Sequence, residues 1–376
     1  MIYLDYSATT PVDDSVLDTY IKVTKNYIGN PNSLHKLGYQ SKKIIDEATE
    51  QVKKILNTDK DVIYTSGATE SNNLAIFGII NKYKNRGKNI ITTHLEHSSI
   101  NEPLKKLEKE GYIINYVELN DDGSVNLDSL DELLNDDTIL VTISTVNSEI
   151  GIIQNLDEIG RIVKKYPKVI FHTDATQVIG KKSINFDSVH LVSMSSQKFY
   201  GMKGVGCLLK NKNILLEPII YGGKSTTDYR SGTPATPLIV SFAKTLRLAY
   251  IDLDKKYNYV LELSNYLKER LKSISGIVIN STECSIPHIV NFSINGIKAE
   301  TLLHALEEEE IYISTRTACN KSDDYSEAVF DVTKDLTRSK HSLRVSISYL
   351  TTKDEINTFL NVLENKISIL SKLDYK

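Results

Sequence analysis

The sequence is poor in cysteine and contains no tryptophan. Its three cysteines, Cys207, Cys284 and Cys319, cannot form a disulfide framework in a chain of 376 residues. They also lack the close pairs that a structural zinc site uses. We therefore expect reduced thiols, as in a cytosolic protein.

Long apolar runs and strong charge are absent as well. No stretch approaches the ~20 residues that span a bilayer, and residues 1–6 lack the basic start and apolar run of a signal peptide. We therefore expect a cytoplasmic protein without a membrane partner. The 45 basic and 48 acidic residues give a net charge of -3, so no strong field attracts polyanions and direct nucleic-acid binding is not expected.

The chain is long enough for one large and one smaller domain. Short apolar segments alternate with amphipathic ones between residues 61 and 209, which is typical of a mostly parallel sheet covered by helices. The expected strands are 62–64, 89–93, 113–117, 139–144, 169–172, 190–194 and 205–209, with helices at 71–82, 103–110 and 156–165. Ligands of such α/β sheets bind at the carboxyl ends of the strands.

The pattern changes after Pro237. One long helical pattern runs through Leu271, short strands are expected near Ile277 and His288, and an amphipathic helix ends the chain. This indicates a smaller α+β domain.

The segment 65–71 follows a strand and opens a helix. Its small residues and the free N–H groups of a helix start favour a phosphate site. A Ser or Thr before Glu is equally an ordinary helix cap, so this motif alone leaves both interpretations open.

Asp174 stands at the exit of a strongly apolar strand. A carboxylate buried there needs a cationic or hydrogen-bonding partner. A protonated pyridine nitrogen is one such partner, and a structural helix cap is an equal alternative.

Lys198 also follows an apolar strand, with Ser193, Ser195, Ser196 and Gln197 before it and glycines after it. Such surroundings can hold a phosphate and lower the pKa of an amine enough for Schiff-base chemistry, although most lysines are solvated surface residues.

The order of phosphate loop, Asp174 and Lys198 resembles the cysteine desulfurase family of class V aminotransferase-like enzymes. The similarity covers nearly the whole chain and includes residues 3–11, 29–31, 66–73, 96–97, 146–151, 171–177, 230–233 and 318–319. It implies pyridoxal-phosphate fold type I, with a large α/β domain, whose mostly parallel seven-stranded sheet is flanked by helices, and a smaller α+β domain. The expected large domain is 13–253, and the small domain comprises 1–12 and 254–376.

The resemblance implies that pyridoxal 5'-phosphate is bound covalently to Lys198. It implies that Asp174 pairs with the pyridine nitrogen, that Gln177 bonds the ring hydroxyl, and that His97 stacks on the ring and helps to move protons. The run from His94 to His97 could otherwise suggest a metal, but no third ligand is evident.

The phosphate is expected at Ala68, Thr69 and Ser195, with Thr233 supplied by the other subunit of a homodimer. The resemblance also places Asn147 at the cofactor, and Asn147 and Arg344 at the carboxylate of the substrate, L-cysteine. A guanidinium suits that carboxylate because it offers two parallel hydrogen bonds, although Arg344 could equally be an ordinary ion-pair residue.

Cys319 is implied to receive the sulfur as a persulfide. It lies in a polar stretch that reaches about Arg338, which should be mobile, and Arg316 and Lys321 would favour its thiolate. Cys207, inside an apolar strand, is expected in the core.

The sequence departs from the family pattern at three places. Gln197 replaces the usual His before the lysine, residues 221–229 keep only part of their motif, and Arg316 replaces a glycine. The Gln197 amide can still donate to phosphate, so we expect cofactor binding to survive.

Three functions stay open from the sequence. Cysteine desulfurase is the leading one, with acceptors in iron–sulfur assembly, tRNA thiolation or thiamine synthesis. A selenocysteine lyase or aminotransferase would need Lys198 and Asp174 but not Cys319. A sulfur-relay subunit that has lost activity is the third.

Overall fold

A computed structural model describes residues 1–223, 225–315 and 325–373. Helices and strands alternate through most of the chain. The helices are α1 (Asp14–Asn26), α2 (Lys36–Ile55), α3 (Ala68–Tyr83), α4 (Ser98–Lys109), α5 (Leu127–Leu133), α6 (Leu156–Val163), α7 (Thr236–Tyr250), α8 (Leu253–Lys272), α9 (Ala299–Glu307), α10 (Glu327–Thr333), α11 (Leu336–Lys340) and α12 (Lys353–Leu373). The strands are β1 (Ile2–Tyr3), β2 (Asp61–Thr65), β3 (Asn89–Thr92), β4 (Ile113–Tyr116), β5 (Thr138–Thr142), β6 (Ile170–Asp174), β7 (Leu191–Ser195), β8 (Gly206–Lys210), β9 (Ile277–Ile279), β10 (Ile289–Ile294), β11 (Ile311–Tyr312) and β12 (Ser342–Ser346).

The central sheet has seven strands in the order β2-β8-β7-β6-β5-β3-β4. Only β8 runs antiparallel to its neighbours β2 and β7, and the remaining pairs are parallel. Every residue of β5, β6 and β7 is buried, as expected for strands covered on both faces. The predicted mostly parallel seven-stranded sheet is therefore confirmed.

Helices cover both faces of this sheet. On one face α3 and α4 pack through residues such as Leu74, Ile79 and Leu104. On the other, α2 and α7 contribute Ile45, Phe242 and their neighbours. The two apolar clusters fix the strand ends, and therefore the residues that follow them.

The helical pattern after Pro237 is interrupted, which corrects the expectation of one long helix. It forms α7 and α8, separated at Ile251 and Asp252. Asp252 has φ +53°, a left-handed conformation that ends a helical run. No Gly or Pro marks this break, so periodicity alone could not reveal it.

A third apolar cluster, in the part of the chain outside the large sheet, joins α8, α9 and α12 to the sheet β12-β10-β9. Leu4 from the start of the chain is buried in it, and β1 pairs with β11 in parallel. The following residues then cross to the large sheet, where Thr10 N–H donates to the Gln197 carbonyl at 3.0 Å. The amino-terminal segment thus lies between this cluster and the large sheet, beside the strand ends.

In the part of the chain that the structure describes, no helix has both the length and the apolar character needed to cross a bilayer.

Candidate active site

A cavity of about 490 Å³ opens at the carboxyl ends of β5, β6 and β7. Its volume suits a small organic ligand. Its lining comes from segments far apart in the sequence and includes Ser7, Gly67, Ala68, Thr69, His97, Asp174, Gln177, Ser195, Gln197, Lys198 and Arg344. The structure therefore brings most of the predicted site residues together.

One end of the cavity is the start of α3. The first turn of a helix leaves N–H groups without partners inside the helix, which favours an anion there. Gly67 precedes this turn at φ +153°, and a Cβ at Gly67 would lie 3.4 Å from Ser195 Oγ. Gly206 lets the loop approach β8, since a Cβ there would come within 2.8 Å of Gly67 Cα. The backbone at residues 67–69 and the Ser195 hydroxyl thus form a cradle of the size and polarity of a phosphate group.

Glu70 braces this loop. Its carboxylate accepts from Ser66 N–H at 2.7 Å and from Arg230 Nε at 2.8 Å. Burial raises the pKa of Glu70, but hydrogen bonds from Arg230 and Ser66 outweigh it, and the net pKa is lowered. An ionised Glu70 therefore ties the loop to the segment after β8.

Asp174 ends β6 and is 6% exposed. Asn72 Nδ2 donates to Oδ2 at 2.8 Å and Thr176 N–H donates to Oδ1 at 2.9 Å. Two donors orient the carboxylate at the cavity wall, where it can pair with a ring N–H of a bound ligand.

His172 lies beneath Asp174 on the same strand, fully buried. Thr142 Oγ1 is 2.8 Å from Nδ1 and Ser193 Oγ is 3.0 Å from Nε2. Burial lowers the pKa of His172, although the negative charge of Asp174 opposes this. The imidazole is therefore neutral near pH 7 and serves as a hydrogen-bonded support for the strand end.

The depressed pKa of His172 predicts an acid-sensitive fold. The unfolded imidazole titrates near 6.5, so stability from the neutral buried ring is present above that pH and is lost as pH falls below it. We expect the free energy of unfolding in urea to decrease between about pH 7 and about pH 5. The decrease should be shallower in His172→Gln. His304→Gln, at an exposed position, should keep the wild-type slope, and an equally steep slope in His172→Gln would contradict this assignment.

Lys198 follows β7 in a single 3-10 turn. Its Nζ donates to the carbonyl of Ser7 at 2.8 Å and to that of Ala8 at 2.6 Å. The two carbonyl oxygens of the amino-terminal segment therefore hold the Lys198 amine at the cavity.

His97 caps α4. Its Nδ1 accepts from Ser99 N–H at 3.1 Å, which leaves the proton of the neutral ring on Nε2. Burial lowers the pKa of His97, and Asp174 only partly opposes this. His97 therefore lines the cavity as a neutral imidazole able to give a proton at Nε2.

Arg344 lies on β12 and is 3% exposed. Its Nη2 donates to Asp5 Oδ1 at 2.7 Å and its Nη1 donates to the Ser148 carbonyl at 2.9 Å. Nε has no partner within the described residues. Two of the five guanidinium N–H groups therefore hold the side chain in place, and Arg344 lines the cavity.

The side chain of Asn147 shapes its own loop. Nδ2 donates to the Leu95 carbonyl at 2.8 Å, and Oδ1 accepts from the N–H groups of Glu149 and Ile150. Asn147 is not among the residues that line the cavity. Its predicted contacts with cofactor and substrate stay predictions.

Thr233 does not line the cavity of its own chain either, and its contact across a dimer stays a prediction. Cys319, Arg316 and Lys321 lie outside the described residues. No group of three or more possible metal ligands occurs within the part of the chain that the structure describes.

Sequence reasoning missed several polar residues at this site. Asp5 and Ser7 were quoted only as part of a matching segment, and Thr176 and Asn72 were given no role. Each of them forms a hydrogen bond with a predicted site residue or lines the cavity. Their positions within the matching segments were the only sign in the sequence that they belong to the site.

The cavity fits pyridoxal phosphate. Three residues that line it, Ser7, Thr176 and Arg344, each carry a buried polar atom without a partner among the described residues. Buried polar groups normally have hydrogen-bond partners, so unsatisfied groups beside the cavity favour a polar ligand. The cradle at Gly67 suits a phosphate, and the carboxylate of Asp174 suits a protonated ring nitrogen.

Comparisons with known proteins agree with this geometry. Residues 2–359 match the family model described as Aminotransferase class-V. The cysteine desulfurase IscS of Dictyoglomus turgidum is 37% identical over 375 residues, covering 98% of this chain and 95% of the relative. The mitochondrial cysteine desulfurase of Saccharomyces cerevisiae is 36% identical over 380 residues, covering 99% of this chain and 76% of the relative.

Solved structures are similar over nearly the full length. A NifS-like protein superimposes with a TM-score of 0.92 at 33% identity, covering 98% of this chain and 99% of the other. A NifS-like protein from Rickettsia africae has a TM-score of 0.86 at 28% identity, with 97% and 99% covered.

The chain belongs to the class-V aminotransferase family, whose enzymes have fold type I and depend on pyridoxal phosphate. Within that family its relatives are the cysteine desulfurases, as the sequence motifs predicted.

Proposed function

We propose that this protein is a cysteine desulfurase that converts L-cysteine to L-alanine and keeps the sulfur as a persulfide on Cys319. The proposal is carried by one observation: Lys198, Asp174 and Arg344 line one cavity. These three groups are the ones needed to attach a cofactor, hold its ring charge and bind an amino-acid carboxylate.

Arg344 supports the substrate assignment. Asp5 and Ser148 hold the guanidinium in place, and Arg344 lines the cavity. A guanidinium at a cavity wall can bind a ligand carboxylate through charge-assisted hydrogen bonds. The α-carboxylate of cysteine is such a group.

Proton movement falls to two residues of this chain. Lys198 presents an amine at the cavity mouth, and His97 carries a proton on Nε2. When bound, pyridoxal phosphate draws electrons from the α-carbon of the amino acid, which lets that carbon lose its proton. Lys198 is placed to accept this proton and to return it, and the Nε2–H of the neutral His97 ring is a hydrogen-bond donor in the same cavity.

The sulfur step balances without an external oxidant. The Cβ–S bond of the substrate breaks and an S–S bond to the Cys319 thiolate forms. The carbon fragment takes a proton and leaves as alanine. The products are alanine and the Cys319 persulfide.

The other two thiols are poor candidates for this role. Cys207 is fully buried in β8, as predicted, and burial raises its pKa. Burial, with a hydrogen bond to Asp122, raises the pKa of Cys284 to about 11. A thiol with a raised pKa has little thiolate, which is the nucleophile.

The described chain before Cys319 is anchored beside the cavity. Ser314 lines the cavity and pairs with Arg344 through both backbone hydrogen bonds. Five residues span at most about 18 Å of extended chain, which limits the distance of residue 319 from this anchor. The anchor at Ser314 supports Cys319 as the acceptor.

The finer parts of the proposal follow the family resemblance. The protein is proposed to be a cytoplasmic homodimer in which Thr233 reaches the partner's phosphate site. Support comes from Leu34 and Tyr221, which are 103% and 75% exposed in the single chain and are large apolar groups that a partner would cover. Its proposed acceptors are iron–sulfur scaffold proteins or enzymes of tRNA thiolation or thiamine synthesis.

Mass spectrometry of the protein after incubation with L-cysteine tests the proposal. We expect one additional sulfur atom on the peptide containing Cys319, and equal amounts of persulfide and alanine in a single turnover. Cys284→Ala is the matched control and should retain the label. Alanine formation without any labelled Cys319 peptide would favour the lyase alternative. Absence of both products would favour the inactive relay subunit.

A further inference from the structure

Lys181 is a buried lysine that has no acidic partner among the described residues. It lies after β6 and is 8% exposed. Its Nζ donates to Gln177 Oε1 at 2.8 Å, and the described residues place no carboxylate within salt-bridge distance of it. The charged groups that act on it, Lys198 and Arg344, are both cations. Burying a lysine beside two cations is unfavourable, so packing alone does not account for the position of Lys181.

Gln177 links Lys181 to the site. Its Nε2 donates to the Ser7 carbonyl at 2.9 Å, and that same carbonyl accepts from Lys198 Nζ at 2.8 Å. A continuous hydrogen-bonded path therefore runs from Lys181 through Gln177 and Ser7 to Lys198.

A side-chain amide can adopt two orientations that exchange its oxygen and its NH2 group, and Lys181 disfavours one of them. An ammonium only donates, so it holds Oε1 of Gln177 towards itself and turns Nε2 towards Ser7 and the cavity. Gln177 lines the cavity and is only 5% exposed. Its second Nε2 hydrogen is thereby left as a donor for a ligand oxygen.

We propose that Lys181 is a positioning residue that fixes the amide of Gln177 as a donor to the cavity and disfavours the protonated state at Lys198. The inference rests on the proposed attachment of the cofactor to Lys198. Both effects favour the deprotonated state. A nearby positive charge disfavours a second positive charge, and a hydrogen bond donated to a ligand oxygen stabilises the deprotonated form of the ligand.

Other charged groups face the same path. Arg344 on β12 and His288, just before β10, interact electrostatically with Lys181. Asp174 and Lys198 interact electrostatically with His97. Burial, with smaller contributions from Lys198 and Arg344, lowers the pKa of Lys181 to about 7. Lys181 is therefore an ammonium below about pH 7, and its effects on Gln177 and Lys198 are strongest in that range.

The test is a pH titration of the absorbance of the bound cofactor in the holoenzyme. In Lys181→Met, which keeps the length of the side chain but removes its charge and donor, we expect the titration midpoint to rise by about one pH unit. Lys181→Arg keeps both charge and donor and should restore the wild-type midpoint. Lys182→Met is the matched control, since the adjacent lysine is partly exposed and lies over the ring of Tyr257.

An unchanged midpoint in Lys181→Met would overturn the proposal, as would an equal shift in Lys182→Met. Should Lys181→Met fail to fold, Lys181→Gln carries no charge and is expected to move the midpoint upward as well. An unchanged midpoint there would have the same meaning. If Lys198→Ala leaves the wild-type spectrum and its titration unaltered, the cofactor attachment itself is wrong, which separates that failure from a failure of Lys181.

Discussion

Replacing Lys198 by alanine is expected to abolish the activity. The variant loses both the amine that is proposed to bond the cofactor and the group that accepts the substrate proton. General acid–base groups alone contribute about 10² to 10⁴ in rate, so we expect alanine formation at saturating cysteine to fall by at least about 10³-fold. The initial rate of alanine formation measures this.

Two observations sharpen this prediction. Borohydride reduction of the wild-type holoenzyme should leave the cofactor mass on the peptide that contains Lys198, and Lys198→Ala should lose that label. Lys203→Ala changes an exposed lysine five residues further along and should keep both rate and label. A Lys198→Ala variant that retains activity within tenfold of the wild type would refute the assigned role.

Replacing Arg344 by lysine is expected to weaken substrate binding. Lysine keeps a positive charge beside Asp5, so the buried ion pair is retained, but it loses the planar fork of guanidinium donors. A hydrogen bond to a charged group is worth about 1.5–3 kcal/mol, which predicts a rise in KM of about 10- to 100-fold.

The effect should fall mainly on KM. The substrate carboxylate is bound before and during the reaction, so losing this contact weakens both states similarly and changes kcat less. Arg338→Lys is the control, because Arg338 binds Asn280 and the Ile279 carbonyl and does not line the cavity. Equal KM values for Arg344→Lys and the wild type would show that another residue binds the carboxylate.

The strand-end residues were predictable because their signals are local. An apolar run such as residues 169–172 is typical of a buried strand, and a polar residue just after it must lie at the sheet edge. Asp174 and Lys198 were placed at neighbouring strand ends on that reasoning, and the structure brings both to the cavity.

The partners of these residues were not predictable in the same way. The bond between Gln177 and Ser7 joins residues 170 positions apart, and the ion pair of Arg344 with Asp5 spans 339 positions. Neither leaves a periodic trace in the sequence. The loop-closing contacts of Asn147 are short in sequence, yet they also depend on the position of the Leu95 carbonyl, which another strand end provides.

The sequence by itself determined the α/β architecture, the order of the motifs and the family, because hydrophobic periodicity and motif order can be recognised without knowing how the segments pack. Tertiary structure decided which atoms meet. Packing ends α7 at Tyr250. It places Ser7 of the amino-terminal segment at the cavity, and it buries Lys181 against Gln177. These outcomes depend on the interaction energies of contacts between distant segments, which cannot be inferred from any one segment of the sequence.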